Sequence, residues 1–209
     1  MNDVAKKVRF ILDLHTVGAI KFGQFKLSSG TISPYYLDLR SLAYYPYLLN
    51  LTADVFWDIL KVLNFDIIVG VPYTGIPIAV AISLKHNQSM VFVRKERKQH
   101  GTERLVEGDF HPGQRAVIVD DVVTNGESKL AVIRQFEQEG LEVKDIVYLL
   151  DRGQGGSDIL KEKGYRCHNI FTIDEIFEIL FSYKKVPREV IDGCLAFTKE
   201  AREQLLKSN

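Results

Sequence analysis

Two adjacent acidic residues, Asp120 and Asp121, follow a short apolar run and precede a small polar turn. The apolar run is Ala116–Val119, and the turn, Thr124–Ser128, contains two hydroxyl side chains and one glycine. Glycine lets the backbone approach a ligand closely, and the N–H groups at the start of a helix bind anions. The spacing therefore predicts a phosphate site beside a pair of carboxylates.

The apolar run requires the acid pair to lie where a strand leaves its sheet. An unpaired carboxylate inside a sheet covered on both faces would be very costly, whereas the carboxyl edge of an open parallel sheet is where ligands bind. A sugar 5-phosphate fits both features, because its phosphate would occupy the turn and its hydroxyls would donate to the acids. The alternative is a solvated acidic strand end followed by a capped helix. Neither GxxxxGK[ST] nor GxGxxG follows a strand, which disfavours a nucleoside triphosphate or a dinucleotide.

The elements around this motif alternate between strand and helix patterns, which predicts an α/β fold with a central parallel sheet flanked by helices on both sides. The predicted strands are Ile67–Val71, Met90–Val93, Ala116–Val119, Ile146–Leu150 and His168–Ile173. The predicted helices are Pro46–Leu63, Ile76–Lys85, Ser128–Glu139, Ser157–Lys163, Asp174–Lys184 and Pro187–Lys207. We expect the last two helices to serve packing rather than function.

The N-terminal part has two further patterns. Residues Val4, Val8, Ile11, Leu12 and His15 recur at helical spacing and predict an opening amphipathic helix. Residues 19–39 are strand-like, with breaks expected at 28–30 and at Ser33-Pro34.

Composition limits the classes of function. The chain has 209 residues, 46% of them hydrophobic, and a formal net charge of zero, so we expect one soluble domain without a general nucleic-acid surface. The N-terminus lacks a secretion signal, and the uncharged stretch 67–84 contains two glycines and two prolines, which disfavours a membrane span. The two cysteines have no disulfide or metal spacing. We therefore predict a cytoplasmic protein.

The complete string from the strand to Ser128 resembles the 5-phosphoribosyl 1-pyrophosphate (PRPP) motif of the type I phosphoribosyltransferases. Four further segments, Phe22–Arg40, Gly70–Ala79, Arg94–Phe110 and Leu149–Gly156, resemble orotate phosphoribosyltransferase, in the form that animals fuse to orotidylate decarboxylase. The resemblance implies a type I phosphoribosyltransferase fold over residues 1–209 as a single domain, with a small N-terminal hood from about 19–40. It also implies conversion of orotate and PRPP to orotidine 5-phosphate and pyrophosphate, in the biosynthesis of UMP.

The resemblance assigns the ribose hydroxyls to the acid pair and the 5-phosphate to the turn. The residues that it places at PRPP are Arg94, Lys95, Lys98, His100, Tyr73, Thr74, Asp120, Asp121, Val122, Val123, Thr124, Asn125, Gly126, Glu127 and Ser128. Asp121 is also expected to assist proton movement.

The basic segment 94–100 is a candidate for the leaving-group site. By itself it is compatible with a solvated basic loop or a nucleic-acid patch, but beside a phosphosugar motif a pyrophosphate partner fits better, since cations offset charge that develops on the leaving group. The resemblance implies a flexible catalytic loop of about 95–110 that reaches into the neighbouring site of a homodimer. Lys98 and His100 are the expected catalytic contacts to the leaving group.

Four residues are candidates for binding orotate: Tyr36, Thr124, Arg152 and Lys26. The planar guanidinium of Arg152 suits a carboxylate, and the resemblance assigns it to the carboxylate of orotate and Tyr36 to the flat base. The alternatives are an ion pair between Arg152 and Asp151 or another acid, and a buried core position for Tyr36.

Two positions depart from the family pattern. Ser28 stands where the family usually has a substrate-contacting lysine, which Lys26 could partly replace, and Thr74 stands where many bacterial members have lysine. No metal ligand is assigned to the protein, because magnesium (Mg2+) is expected to be bound mainly through PRPP. Two other functions stay open: a purine phosphoribosyltransferase, and a regulator that senses PRPP without catalysis.

Overall fold

The computed structural model describes residues 3–27, 30–94 and 106–208, and shows a six-stranded sheet with helices on both faces and a separate hairpin. The helices are α1 Asp3–Thr16, α2 Pro46–Leu60, α3 Gly75–His86, α4 Glu127–Gln138, α5 Gly156–Glu162, α6 Ile173–Ser182 and α7 Arg188–Ser208, with a 3-10 helix at Leu39–Tyr44. The strands are β1 Ile20–Lys26, β2 Ile32–Leu37, β3 Ile67–Gly70, β4 Met90–Val93, β5 Val106–Glu107, β6 Arg115–Val123, β7 Glu142–Asp151 and β8 Arg166–Thr172.

The main sheet has the order β5-β4-β3-β6-β7-β8, and all of its pairings are parallel except that of β5 with β4. The predicted parallel sheet is therefore confirmed, with an added antiparallel edge strand. In a mostly parallel sheet the carboxyl ends of β3, β6 and β7 lie at one edge, and the predicted site residues follow these three strands.

Side-chain alternation along the strands divides the core into two halves. Val117 and Val119 of β6 pack with α1, α2, α3, α6 and α7 on one face, whereas Ala116 and Ile118 pack with α4 and α5 on the other. Because successive strand residues point to opposite faces, an uninterrupted apolar run fills both halves at once.

Strands β1 and β2 form an antiparallel hairpin that packs on the main body through β2 and α7. Tyr35 of β2 is fully buried, with edge-on ring contacts to Phe177 of α6 at 5.2 Å and Phe197 of α7 at 6.1 Å. This hairpin corresponds to the predicted hood.

Several sequence expectations are corrected in detail. Ser33 and Pro34 lie inside β2 rather than breaking it, and the Ser33 hydroxyl donates to the backbone oxygen of Tyr35 at 2.7 Å. Strand β6 continues four residues beyond Val119 to Val123, so both acids lie within it. Val4 is 69% exposed, whereas the predicted Ile11 is buried and shares the buried face of α1 with Phe10 and Leu14, which were not predicted.

Candidate functional site at the carboxyl edge of the sheet

The two acids differ in their surroundings. Asp120 is only 2% exposed; its Oδ1 accepts from the backbone N–H of Asp121 at 2.8 Å, and its Oδ2 contacts the ammonium group of Lys129. Asp121 is half-buried, and its Oδ1 accepts from the N–H of Val122 at 2.8 Å. Burial raises the pKa of Asp120 to about 7, against the opposing effect of Lys129. An internal cation thus binds one acid of the pair, while the other stays nearer to solvent.

Both acids line an open cavity of about 330 Å³. The turn after β3 forms its opposite wall, where Thr74 is buried and Tyr73 is 66% exposed. Gly75 permits this close approach, because a Cβ there would lie 2.5 Å from the backbone oxygen of Val119. Arg94 also lines the cavity, and its Nη1 donates to Glu107 of β5 at 3.0 Å. The structure thus brings together five of the predicted PRPP residues, from three segments of the chain, around one cavity: Tyr73, Thr74, Arg94, Asp120 and Asp121.

The turn after β6 leads directly into α4, as the sequence predicts. Gly126 is the N-cap of α4 with φ +78°, a left-handed conformation that favours glycine. The N–H of Lys129 donates to the oxygen of Gly126 at 3.1 Å. Because glycine has no side chain to cap the helix, the N–H groups of α4 that precede Lys129 can face an anion. Asn125 donates to the carboxylate of Glu127 at 3.2 Å, which fixes the outer side of the turn.

Two backbone hydrogen bonds join this turn to the loop after β7. The N–H of Arg152 donates to the oxygen of Val123 at 3.2 Å, and the N–H of Gly156 donates to the oxygen of Thr124 at 3.0 Å. A Cβ on Gly126 would lie 2.9 Å from the backbone oxygen of Gly156, so the two segments are in close contact. The predicted phosphate turn, residues 124–128, and the loop after β7 that carries Arg152 are therefore held together as one unit.

Arg152 lies against the hood. Its guanidinium carbon is 4.8 Å from the ring centroid of Tyr35, and its Nε donates to the Tyr35 hydroxyl at 3.3 Å. Asp151, the alternative partner, accepts instead from the N–H of Gly153 at 2.8 Å and from the Ser157 hydroxyl. Over the parts of the chain that the structure describes, Arg152 has no carboxylate partner.

Two other base candidates, Tyr36 and Lys26, lie on the hairpin. Tyr36 is half-buried, packs on Phe25 at 5.5 Å between ring centroids, and accepts from Arg40 at 2.8 Å through its hydroxyl. Tyr36 is therefore not a core residue; the strand alternation gives that position to Tyr35. Lys26 is exposed and pairs with Ile32 across the hairpin.

A second cavity of about 350 Å³ lies on the other side of Thr124. The hairpin contributes Leu27, Thr31 and Ile32, and α7 contributes Phe197, Glu200, Ala201 and Gln204. Helix α7, expected to serve packing, thus also lines a cavity that contains a predicted substrate residue.

Three predicted residues, Lys95, Lys98 and His100, lie outside the described residues, as does Ser28. The backbone of Ser128 lies in the first turn of α4. Glu107 lies in β5, so the C-terminal end of the predicted loop 95–110 includes an edge strand.

A sequence profile described as "Phosphoribosyl transferase domain" matches residues 46–185 of this chain. The uridine 5'-monophosphate synthase of Bos taurus is 39% identical over 192 residues, which cover 91% of this chain and 40% of that protein. The orotate phosphoribosyltransferase of Chlamydia caviae is 40% identical over 174 residues, which cover 82% of this chain and 84% of that protein.

The chain belongs to the phosphoribosyltransferase family, and within it to the orotate phosphoribosyltransferases. A solved structure of Leishmania donovani UMP synthase matches with a TM-score of 0.86 and 32% identity, over 93% of this chain and 42% of that one. The type I phosphoribosyltransferase fold is thereby confirmed. This phosphoribosyltransferase chain spans about two fifths of the length of the two UMP synthases it matches.

The sequence reasoning missed two residues of this phosphoribosyltransferase site, Tyr35 and Lys129. Tyr35 was predictable in part, because one of two neighbouring tyrosines in a strand must face the core. Lys129 precedes Ile133 and Phe136 by four and seven residues, so a lysine on the apolar stripe of α4 was the available indication.

Proposed function

We propose that this chain transfers the phosphoribosyl group of PRPP to orotate, giving orotidine 5-phosphate and pyrophosphate, in pyrimidine biosynthesis leading to UMP. The observation that supports this most directly is Arg152, a half-buried guanidinium beside the phosphate turn with no carboxylate partner among the described residues. A buried cation is costly to leave unpaired, so a carboxylate ligand is the partner it favours. Orotate carries a carboxylate, whereas the purine bases and uracil do not.

In the proposed complex the 5-phosphate binds the start of α4 and the turn 124–128. The ribose hydroxyls donate to Asp120 and Asp121, and the pyrophosphate lies along Tyr73 and Thr74 with Arg94 nearby. Thr124 and Arg152 then meet the base, because their segments are joined by the hydrogen bonds already described. The carboxylate of orotate, the ribose and the 5-phosphate would thus bind side by side along the carboxyl edge of the sheet.

Positioning and charge stabilisation would supply most of the catalysis. The transition state should resemble a ribose cation with negative charge on the departing pyrophosphate, and fixed donors stabilise such charge strongly in a dry site. We assign leaving-group contacts to Lys98 and His100, and a role in proton movement to Asp121. Closure of the segment 95–110 over the substrates would exclude water, which competes with the base.

Magnesium enters this proposal as an ion carried by PRPP. Among the described residues, no group of three or more His, Cys, Asp or Glu side chains is arranged to hold a metal. Magnesium commonly binds through substrate phosphates and keeps several waters, so few protein ligands are required. The ion would neutralise the leaving group.

We further propose that the protein is a cytoplasmic homodimer in which the loop of one subunit completes the site of the other. None of the described helices combines the length and apolar character that a bilayer crossing requires. The proposal of a dimer is based on the resemblance of the segment 94–110 to the catalytic loop of orotate phosphoribosyltransferases, because the structure describes a single chain.

One assay separates the three candidate functions: pyrophosphate release from PRPP with orotate, uracil or hypoxanthine, with and without Mg2+. Release with orotate alone is the expected result, because only orotate supplies the partner for Arg152. Release with hypoxanthine but not orotate would assign a purine enzyme. Tight PRPP binding without release from any base would assign a sensor.

A further inference from the structure

Lys129 of α4 is a charged residue in a position that the helix otherwise gives to apolar side chains. It is 8% exposed and shares the buried face of α4 with Ile133 and Phe136. Its ammonium group contacts Oδ2 of Asp120 and also lines the cavity that contains both acids. A lysine placed there must have a partner, since an isolated buried ammonium is strongly disfavoured.

Asp120 depends on Lys129 in the same way. Its Oδ1 accepts from the N–H of Asp121 at 2.8 Å, but within the described residues Oδ2 has the ammonium contact and no well-aligned hydrogen-bond donor. Each carboxylate oxygen has two lone pairs, so Oδ1, which has one donor, can accept another from a ligand in the cavity, whereas Oδ2 is buried against Lys129.

The charges that face Asp120 come from several elements. Lys129 approaches from α4 and Asp121 lies next to it on β6, while Arg94 lines the same cavity at the end of β4. Tyr148 is its neighbour in register on β7, and the Tyr148 hydroxyl lies 2.6 Å from that of Ser157. From α3, the nearest group is the backbone of Gly75, which carries no charge.

Burial is the largest influence on Asp120 and raises its pKa to about 7, while Lys129 acts in the opposite direction. Removal of Lys129 should therefore raise the pKa above 7, and at neutral pH most of the carboxyl groups would be protonated. A protonated carboxyl loses much of its strength as an acceptor for a hydroxyl donor.

We propose that Lys129 is a positioning residue for PRPP: it holds Asp120 in the ionised form and in the orientation that accepts a ribose hydroxyl. The proposal rests on the proposed function, in that the ribose of PRPP is taken as the ligand of Asp120. Lys129 itself acts through Asp120 and needs no contact with the substrate.

The test compares Lys129→Met, Lys129→Gln and Lys129→Arg with wild type, and with Lys144→Met as control. Lys144 is an exposed lysine on β7, far less buried than Lys129. The KM for PRPP and the KM for orotate are measured from pH 6 to pH 9. Lys129→Gln keeps a polar side chain, so it provides the test if a methionine beside the carboxylate of Asp120 prevents folding.

For Lys129→Met and Lys129→Gln we expect the KM for PRPP at pH 7 to rise by about fivefold or more, since a one-unit increase above a pKa of about 7 lowers the ionised fraction of Asp120 at pH 7 from about one half to about one tenth. The KM for orotate should change little. The increase should shrink toward pH 9, where Asp120 ionises without help, and Lys129→Arg and Lys144→Met should stay near wild type. A KM increase of the same size at every pH would overturn the proposal, because a purely structural role or a direct phosphate contact would produce that result.

A second measurement does not require turnover. The carboxyl carbon of Asp120 is titrated by NMR in wild type and in the Lys129 variants, and PRPP binding is followed by calorimetry. An unchanged carboxyl titration in Lys129→Gln would overturn the role of Lys129, even if the enzyme converts orotate normally. If the Lys129 variants show the expected change in the Asp120 titration and wild type binds PRPP but releases no pyrophosphate, only the proposed catalysis would be contradicted. If wild type does not bind PRPP, both the proposed function and the role of Lys129 would be overturned.

Discussion

Arg152 and Lys129 are two cations at the same edge of the sheet with different surroundings. Lys129 is buried and contacts Asp120, whereas Arg152 is half-buried, stacks on Tyr35 and has no carboxylate partner among the residues that the structure describes. A cation that is already paired orients its partner, and a cation held in place without a counter-ion is suited to a ligand. This contrast supports the proposed roles of Lys129 in organising the sugar site and of Arg152 in binding the base.

Substitution of Arg152 tests the base assignment. A charge-assisted hydrogen bond contributes about 1.5–3 kcal/mol, so Arg152→Ala should raise the KM for orotate by roughly 10- to 100-fold with little change for PRPP. Arg152→Lys should recover only part of the loss, because lysine lacks the planar fork. Steady-state kinetics with each substrate varied in turn provide the measurement.

The control is Arg188→Ala, which removes an exposed arginine paired with Glu178 and Asp192 on the surface. It should leave both KM values unchanged. Equal increases in the two KM values for Arg152→Ala would count against a contact with the carboxylate of orotate.

At the scale of elements, the turn 124–128 and the start of α5 are too close together for a side chain on the glycine of either segment. Gly126 has φ +78°, and an added Cβ would meet the backbone oxygen of Gly156 at 2.9 Å. Since backbone cannot rotate away as a flexible side chain can, any larger residue must shift one segment relative to the other. The loop of Arg152 would shift with it.

Gly126→Ala should therefore weaken PRPP binding by tenfold or more, and also destabilise the fold by about 1–2 kcal/mol from the left-handed conformation. Gly164→Ala is the matched control, because Gly164 has φ +92° and open space around its Cβ position. Chemical denaturation should show similar losses of stability from backbone strain, but only Gly126→Ala should change the KM for PRPP. The same KM for both variants would refute the role of this close contact.

Helix α7 reaches the base site through a chain of hydroxyls. The Thr198 hydroxyl donates to the oxygen of Cys194 at 3.0 Å and lies 3.2 Å from the Tyr35 hydroxyl. Because the proton of Thr198 is directed to Cys194, Tyr35 donates to Thr198, and its own oxygen then accepts from Arg152 at 3.3 Å. The C-terminal helix thereby helps to orient Arg152, which we propose binds the base.

Thr198→Val removes this link with little change in shape. We expect the KM for orotate to rise about three- to tenfold, in line with the roughly 0.5–1.5 kcal/mol of one neutral hydrogen bond. Thr52→Val is the control, since the buried Thr52 hydroxyl also donates to a carbonyl four residues earlier, that of Leu48 at 2.8 Å, but lies in α2. A KM increase in both variants, measured under the same conditions, would indicate a general loss of stability instead.

At the scale of the whole molecule, the proposed sharing of loops between subunits predicts complementation. Lys98→Ala should lower turnover by orders of magnitude, and Arg152→Ala should impair the base site of its own chain. In a mixed dimer, the site with an intact Arg152 would receive an intact loop from the other subunit. Random pairing of the two variants should then restore about one quarter of the wild-type activity, since half of the dimers are mixed and each has one complete site.

Co-expression of the two variants, with purification and turnover measured at an orotate concentration that saturates wild type but lies far below the raised KM of Arg152→Ala, gives the result. Each variant expressed alone provides the baseline. Activity no greater than the mean of the two single variants would show that each loop serves its own subunit.

Local patterns in the sequence were sufficient for the five parallel strands of the main sheet, the α-helices and the acidic motif, but not for the edge strand β5 or for the continuity of β2. The apolar run before Asp120, the glycine of the turn and the hydroxyls around it are neighbours in the chain, so their spacing alone predicts a strand, a phosphate turn and a helix start. Alternation of short apolar runs with helical stretches likewise predicts a parallel sheet, because only a sheet covered on both faces buries such runs completely. The site residues themselves were assigned through the resemblance of whole segments.

Contacts between distant segments were decided only by the tertiary structure. The sequence placed both acids at an exposed strand end, but the sheet continues to Val123 and Lys129 is folded against Asp120, which makes one acid internal. The sequence suggested Asp151, the preceding residue, as a partner for Arg152. In the structure, packing of the β1–β2 hairpin against α7 instead places Tyr35 beside Arg152, although the two residues are 117 positions apart along the chain. Burial, pairing and the resulting pKa depend on which segments meet in space, and a linear pattern specifies each segment without specifying its neighbours.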